Sequence, residues 1–376
     1  MPTARWAIGT AVAGDIVYAI GGSNGSYFST VESYNTKTNV WTPALANMTT
    51  ARQPDCVVVG DNIYAIGGWN GSDLNMVEVY SISGNSWSSK APKTTSCHST
   101  AAVAVGGLVY TIGGQVFATA INQVEVYDPG LNSWSTKLPM PTARGWAGVA
   151  VVEGIIYVMG GYMTGAETAV VEAYNPVTNT WTTKASMPQA QGMFSAVAVG
   201  RHIYAMGGGA GGVVSSIVQE YDVDANTWKI LTDTPMPTAR RTFGLVSVGQ
   251  VIYAIGGDVG GPPTDSVEAA NVPASAPSDL TKGKITIYGN VLDVTAGGKA
   301  KIFAKGEANK TVKLSVYNRA GKRVAEVPPI TLDSTGAGFV WFDGKDSSGK
   351  QLLAGIYLII GPDGQKAQIV IKRGVK

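Results

Sequence analysis

Six glycine pairs recur down the chain at near-constant spacing: Gly21-Gly22, Gly67-Gly68, Gly113-Gly114, Gly160-Gly161, Gly207-Gly208 and Gly256-Gly257, separated by 46, 46, 47, 47 and 49 residues. A repeat of this period means an array of equivalent supersecondary units, so most of the chain must fold by stacking copies of one motif. Each pair closes an apolar run such as Ile63-Tyr64-Ala65-Ile66 or Val251-Ile252-Tyr253-Ala254-Ile255. Such a run predicts a strand packed from both sides, ending at a glycine where another backbone comes close.

The rest of the unit is equally regular. A loop of roughly nine residues follows each pair, then Val-Glu-x-Tyr or a variant, and seven residues beyond that tyrosine a tryptophan: Tyr34 and Trp41, Tyr80 and Trp87, Tyr127 and Trp134, Tyr174 and Trp181, Tyr221 and Trp228. Turn-forming residues such as Asn-Pro-Val-Thr-Asn separate the two aromatics and suit a hairpin. A linker often ending Met-Pro-Thr-Ala-Arg leads to a strand of small residues, for example Ala101-Ala102-Val103-Ala104-Val105. Four antiparallel strands per repeat, small side chains on the first and aromatics on the last, fit a propeller blade crowded at its axis and splayed at its rim.

On the double glycine, the Tyr and the spaced Trp, the chain resembles the Kelch family over residues 1 to 272, which implies a six-bladed β-propeller. Residues 273 to 283, Pro-Ala-Ser-Ala-Pro-Ser-Asp-Leu-Thr-Lys-Gly, read as a linker. Beyond it, six strands are expected near 284–288, 300–304, 312–317, 338–342, 355–360 and 367–371, making residues 284 to 376 a small β-sandwich. The stretches Leu314 to Val324, Trp341 to Lys350 and Ala354 to Leu358 resemble the Ig-like domain of the flagellar hook-capping family. That resemblance implies a bacterial, extracellular or cell-surface protein. The expected fold class is all-β throughout.

Composition excludes several functions. The overall charge of +2 hides an asymmetry: residues 1 to 279 carry 12 Lys and Arg against 19 Asp and Glu, net −7, and residues 280 to 376 carry 16 against 7, net +9. The tail's basic residues are scattered lysines rather than an Arg-rich, aromatic-interleaved patch, so no nucleic-acid partner is expected. No apolar segment reaches 18 residues, and no membrane insertion is expected. No leader peptide is read at Met1-Pro2-Thr3-Ala4-Arg5, a copy of the repeat linker, so the numbering is expected to start after processing or inside a longer gene.

Metal and cofactor sites are not expected. Two cysteines, Cys56 and Cys97, and two histidines, His98 and His202, give few soft ligands. The cysteines read as small buried residues rather than a disulfide. The copper oxidases that share the Kelch repeat need a Cys, Tyr and His cluster, which is not evident here. Asp222-Val223-Asp224-Ala225-Asn226 has the opening of a calcium loop but occupies the Tyr-to-Trp turn common to all complete repeats. Asp343 and Asp346 read likewise as turn residues. Glu32, Glu78, Glu125, Glu172 and Glu268, replaced by Gln219 in the fifth repeat, are too symmetric for catalysis and read as scaffold acceptors.

Function is therefore sought where the symmetry fails. In a four-stranded meander the second loop and the linker to the next blade emerge on one face. There the sequence places the candidate ligand-binding residues Trp6, Gln53, Trp69, His98, Trp146, Tyr162, Phe194 and Arg241, with Tyr27 and Phe117 nearby. Rings and guanidinium groups around an axial mouth suit a glycan or a peptide. A non-catalytic binding or adhesion protein is the expected function. A sugar-processing enzyme built around His98 and a structural subunit of an extracellular assembly are the alternatives. The last arises because the sixth repeat, Asp265 to Asn271, lacks the Tyr and Trp of an outer strand, leaving an edge for a further strand, from upstream or from another copy.

Overall fold

The computed structural model describes residues 1–272 apart from 44, and in the C-terminal part residues 286–288, 291–293, 300–305, 311–318, 323–331, 337–346, 348–352, 355–360 and 366–372. The chain divides into two compact units, Met1–Ser275 and Ala276–Lys376. The first is a six-bladed all-β propeller. Five antiparallel sheets have four strands each in chain order, and a sixth, Gly244–Val248, Val251–Ile255 and Val267–Asn271, has three.

The innermost strands Gly9–Ala13, Gln53–Val59, Ala101–Val105, Gly148–Val152, Ser195–Val199 and Gly244–Val248 touch in that order, and the last meets the first. The ring thus closes by direct packing of blade six on blade one. Six apolar clusters do the packing, one at each junction between neighbouring blades. Tyr80 and Trp87 of blade two, for instance, lie against Tyr18, Ile20 and Met48 of blade one and its linker, while Tyr34 and Trp41 close the ring against Val246 and Tyr253.

The glycine pairs are where one blade receives the next. Gly113 has φ +62, and a Cβ there would stand 2.4 Å from the Arg144 carbonyl oxygen; its neighbour Gly114, φ +109, donates its N–H to that same oxygen at 3.0 Å. The equivalent bond recurs from Gly22 to Arg52, Gly68 to Cys97, Gly161 to Gln191, Gly208 to Arg240 and Gly257 to Arg5. Positive φ and backbone contact together leave room for no side chain.

The symmetric Glu and Arg residues form one buried pair per blade: Arg5–Glu32 at 3.1 Å, Arg52–Glu78, Arg144–Glu172 at 2.6 Å and Arg240–Glu268 at 2.5 Å. Each of these arginines is at most 1% exposed and also donates to a backbone or side-chain oxygen of its own blade, as Arg52 does to Gly67 O and Ala65 O, both at 3.1 Å. Where the arginine is missing, the pair is rebuilt. In blade three Lys93 reaches into the gap left by Cys97, its Nζ 3.1 Å from Cys97 Sγ and 3.5 Å from Glu125. In blade five both partners have become neutral: Gln219 donates to Gln191 Oε1 at 2.6 Å, and Gln191 donates to Gly207 O at 2.9 Å. A buried charge without its counter-ion is costly, so charge and counter-charge are exchanged together.

The second unit contains a three-stranded sheet, in the order Thr286–Tyr288, Ala300–Lys305, Ala337–Phe342, and a five-stranded one, Val291–Asp293, Lys366–Lys372, Gly355–Ile360, Thr311–Tyr317, Arg323–Thr331. Two of these strands escaped the sequence reading. Arg323–Thr331 contains Pro328 and Pro329, which argue against a strand, yet it is an edge strand with a displaced register, where prolines are tolerated. Val291–Asp293 is three residues long and pairs in parallel with Val370, Ile371 and Lys372. The expected linker, residues 273 to 283, lies outside the described residues.

Candidate functional site: the axial mouth

The linkers bring their last residues to the axis in a second ring. The residue two beyond each buried Arg or its substitute has positive φ in five blades: Ala7 (φ 47), Ser99 (φ 55), Trp146 (φ 53), Met193 (φ 56) and Thr242 (φ 49). In the sixth case it is Pro54, whose φ is locked negative. This conformation turns each backbone toward its neighbour, and the chain then enters the inner strand.

Inside that ring is an axial cavity of about 280 Å³ lined by Gln53, Asp55, Cys56, Trp69, His98, Ser99, Thr100 and Trp146, among others. A shallower recess of about 200 Å³ adjoins it, lined by Trp6, Gln53, Trp146, Met193, Arg241 and Asp258. Seven of the eight residues singled out in the sequence line the axial cavity or its recess: Trp6, Gln53, Trp69, His98, Trp146, Phe194 and Arg241. Two of the eight have scaffold contacts as well. Phe194 forms part of the cavity wall but is 5% exposed, its ring packed over Gly148 and Gly160 in the core between blades four and five. Tyr162 packs against Gly192 and donates its hydroxyl to Glu167 Oε1 at 2.8 Å; burial and that bond push its pKa up to about 12. Its phenol is committed to the scaffold.

The mouth is an interlocked cluster. The His98 ring lies 5.0 Å from the Trp69 ring and 6.1 Å from the Trp146 ring, edge to face with the latter. His98 Nδ1 is 2.6 Å from Asp73 Oδ1, and the second oxygen of Asp73 accepts the Phe117 N–H at 2.7 Å. Phe117 sits at φ +52 with its side chain 74% exposed, so Asp73 holds both an imidazole and an exposed ring in fixed places. Trp146 Nε1 donates to Gln115 Oε1 at 2.9 Å. On the far rim Arg241 Nε donates to Asp258 Oδ2 at 2.7 Å. Burial raises the Asp258 pKa, but the bonds from Arg241 and Gly260 outweigh it and hold the carboxyl below its ordinary value.

Asp55 is the residue that the sequence reading missed. It occupies the position held in the other blades by Ile8, Thr100, Ala147, Phe194 and Phe243, a lone acid in an otherwise mostly apolar series. That break in symmetry was its signal. What surface it has faces the axial cavity, and desolvation raises its pKa to about 6 despite a hydrogen bond from Thr100 and the charges of Lys93 and His98. Because the folded state holds this proton more tightly than the unfolded chain, stability is lost as pH rises from about 4 to about 6. Asp55→Asn is therefore expected to leave stability unchanged at pH 4 and to raise it at pH 8 by at most about 3 kcal/mol. Denaturant titrations at the two pH values measure the difference.

The other histidine has no part here. His202 opens the strand His202–Met206 at the opposite end of its blade, its Nδ1 2.9 Å from Glu220 but off line for a hydrogen bond. Among the described residues no group of three His, Cys, Asp or Glu is arranged to hold a metal ion, and Cys56 and Cys97 are free thiols.

A closed ring of six antiparallel sheets, with paired glycines and Tyr–Trp hairpins at its junctions, defines a repeat propeller of the Kelch class. Residues 53–257 match the KLHDC2/KLHL20/DRC7 Kelch-repeats domain and residues 7–44 the Kelch motif, and the chain belongs to the Kelch-repeat family. No curated protein matches it in sequence. Among solved structures it is similar to one titled "Structure of YjhT", at 16% identity and a TM-score of 0.65 over 73% of this chain and 97% of that one. That likeness is one of fold.

Proposed function

We propose that the protein is a non-catalytic recognition module whose axial mouth binds a glycan or a peptide segment of a partner. Kelch propellers are typically protein-binding scaffolds. One observation carries the placement: in a molecule otherwise built of near-identical blades, the residues that break the repeat, Trp6, Gln53, Asp55, Trp69, His98, Trp146 and Arg241, line the axial cavity and the recess that adjoins it. Aromatic faces with a few convergent polar groups are how such clefts hold ligands. The resemblance of the C-terminal unit to Ig-like domains supports an extracellular or cell-surface setting.

Glycan and peptide arrays test this. The triple variant Trp6→Ala, Trp146→Ala, Arg241→Ala is expected to lose at least about 100-fold in affinity for whatever the parent binds, because buried aromatic and Arg anchors dominate such contacts. Its melting temperature should stay within about 4 °C of the parent. Undiminished binding would move the site to the opposite face or to the tail unit.

A second reading has its own observation. His98, held at Nδ1 by Asp73, and Asp55, with a pKa of about 6, line the same cavity and supply the acid and base groups that an enzyme acting on a sugar would need. Turnover of an array-positive glycan by the parent, abolished in His98→Gln, would favour it. Assembly through strand addition is the third reading; it is supported by the strand Val267–Asn271, whose outer edge has no partner among the described residues and whose last three residues are exposed.

A further inference from the structure

The ring of positive-φ residues around the axis is stitched by backbone hydrogen bonds, each N–H donating to the carbonyl of the preceding blade's counterpart. Ala7 N donates to Thr242 O at 2.7 Å, Thr242 N to Met193 O at 2.8 Å, Met193 N to Trp146 O at 3.2 Å and Trp146 N to Ser99 O at 3.1 Å. Six blades call for six bonds, and four are made. The other two would run from Ser99 N to residue 54 and from residue 54 N to Ala7.

Residue 54 is proline. It has no N–H to give to Ala7, and it cannot take the positive φ that aims the other five carbonyls at their neighbours. In this blade the chain runs straight into the sheet: the strand starts early, at Gln53, which pairs with Trp69, and the register shifts between Gln53 and Asp55. The break leaves Ser99 N–H and Ala7 C=O without partners among the described residues. Ser99 Oγ, closed off from solvent, has none either. Ser99, Ala7, Pro54 and Asp55 all line the axial cavity, with Trp69, His98 and Trp146 at its rim.

Ser99 N–H and Ala7 C=O sit on the cavity wall with no partner from the described residues, and polar groups of a folded chain are nearly always paired, so whatever fills the cavity is placed to pair them. Resting on the reading of the mouth as a binding site, we propose that the gap at Pro54 anchors a neutral sugar ring, which completes the broken circuit by taking a hydrogen bond from Ser99 and giving one to Ala7 C=O while its apolar face lies on Trp69 or Trp146. Adjacent ring hydroxyls both donate and accept, which matches one free donor and one free acceptor on either side of a single proline. Asp55 adds a carboxyl able to do either, being half-protonated near pH 6. A cavity of 280 Å³ is at the small end for ligand clefts and suits one ring rather than an extended chain. Neutrality follows from the charges: Arg241 is paired with Asp258 and His98 with Asp73, so the described mouth residues offer no uncommitted cation to an acidic sugar.

The decisive variant is Pro54→Gly, which supplies both the N–H and the positive φ and lets the protein close its own ring. Methyl glycosides of glucose, galactose, mannose and N-acetylglucosamine, with glucuronate as the acidic control, are titrated into the full chain and followed through the Ser99 amide resonance and tryptophan fluorescence. The expected result is that at least one neutral glycoside binds and glucuronate does not, with affinity at least 10-fold weaker in Pro54→Gly and also weakened in Pro54→Ala, which restores the N–H alone. Amide exchange at Ser99 should be slower in unliganded Pro54→Gly than in the parent. If Pro54→Gly fails to fold, Pro54→Ala decides alone. Equal affinity in parent and variants overturns the anchoring role, and binding of glucuronate overturns the neutral class. If none of the glycosides binds while a peptide is captured by the parent and lost in the Trp6, Trp146, Arg241 triple variant, the sugar proposal falls and the mouth stands as a peptide site. If neither class binds, both fall.

Discussion

Arg52→Gln is expected to destabilise the propeller by about 3 to 5 kcal/mol, and adding Glu78→Gln is expected to restore most of the loss. The single change leaves the Glu78 carboxylate, 1% exposed, without its guanidinium, and an uncompensated buried charge carries that cost. Burial alone would push the Glu78 pKa up; hydrogen bonds from Thr49 and Arg52 reverse this and hold it below the ordinary value, so removing Arg52 turns a favourable site into an unfavourable one. The double variant reproduces what blade five already contains, Gln191 bonded to both Gln219 and the Gly207 carbonyl. Denaturant midpoints for the two single variants and the double give the coupling energy directly. A double variant as unstable as the sum of the singles would show that the six pairs are not equivalent parts of one scaffold.

The second large effect concerns the outer aromatics. Trp87→Ala, Trp134→Ala, Trp181→Ala and Trp228→Ala should each cost about 3 to 5 kcal/mol. Each ring sits 4.9 to 5.3 Å from the tyrosine of its own hairpin and donates Nε1 to a linker carbonyl of the blade before it, Ala46, Ala91, Leu138 and Ala185 respectively. The loss is therefore a packing contact plus a hydrogen bond across a junction. Trp41 stacks on Tyr34 at 5.2 Å and packs against blade six, but no linker carbonyl among the described residues accepts its N–H, so Trp41→Ala should cost about 1 kcal/mol less. Equal losses at all five positions would contradict that distinction.

The architecture was legible because it is repeated. Spacing fixed the number of blades, and among the described residues the sixth sheet, where the Tyr and Trp are missing after Glu268, has three strands. The turn asparagines carried more than their turn-forming character suggested. Asn85, Asn132, Asn179 and Asn226 take positive φ, accept the hydroxyl of the tyrosine five residues earlier, and also accept an N–H from the neighbouring linker. One side chain ties a hairpin to the linker of the blade before it, a contact invisible without the ring.

The site was half legible. Comparing repeats position by position found Trp6, Gln53, His98, Trp146 and Arg241 because they vary where the scaffold does not. It could not separate Phe194, whose ring turns into a junction, from Trp146, whose ring turns to the mouth, since both vary in the same linker segment. Asp73, Gln115 and Asp258 lie after the glycine pairs in segments of differing sequence, and only folding shows that each holds a mouth residue in place. Pro54 carried no signal in the sequence; it stands out only because the other five positions share positive φ.

The nine tryptophans offer the most direct test of the account, because it gives them separate roles: three at the mouth, five at blade junctions, and Trp341 in the C-terminal unit. In protein labelled with 5-fluorotryptophan, each gives one fluorine resonance, assigned by single Trp→Phe replacement. On titration with the best array ligand, the resonances of Trp6, Trp69 and Trp146 should shift and saturate together, while Trp41, Trp87, Trp134, Trp181, Trp228 and Trp341 stay put. Shifts confined to the junction tryptophans or to Trp341, with the three mouth signals unmoved, would contradict the assignment of the axial mouth as the binding site.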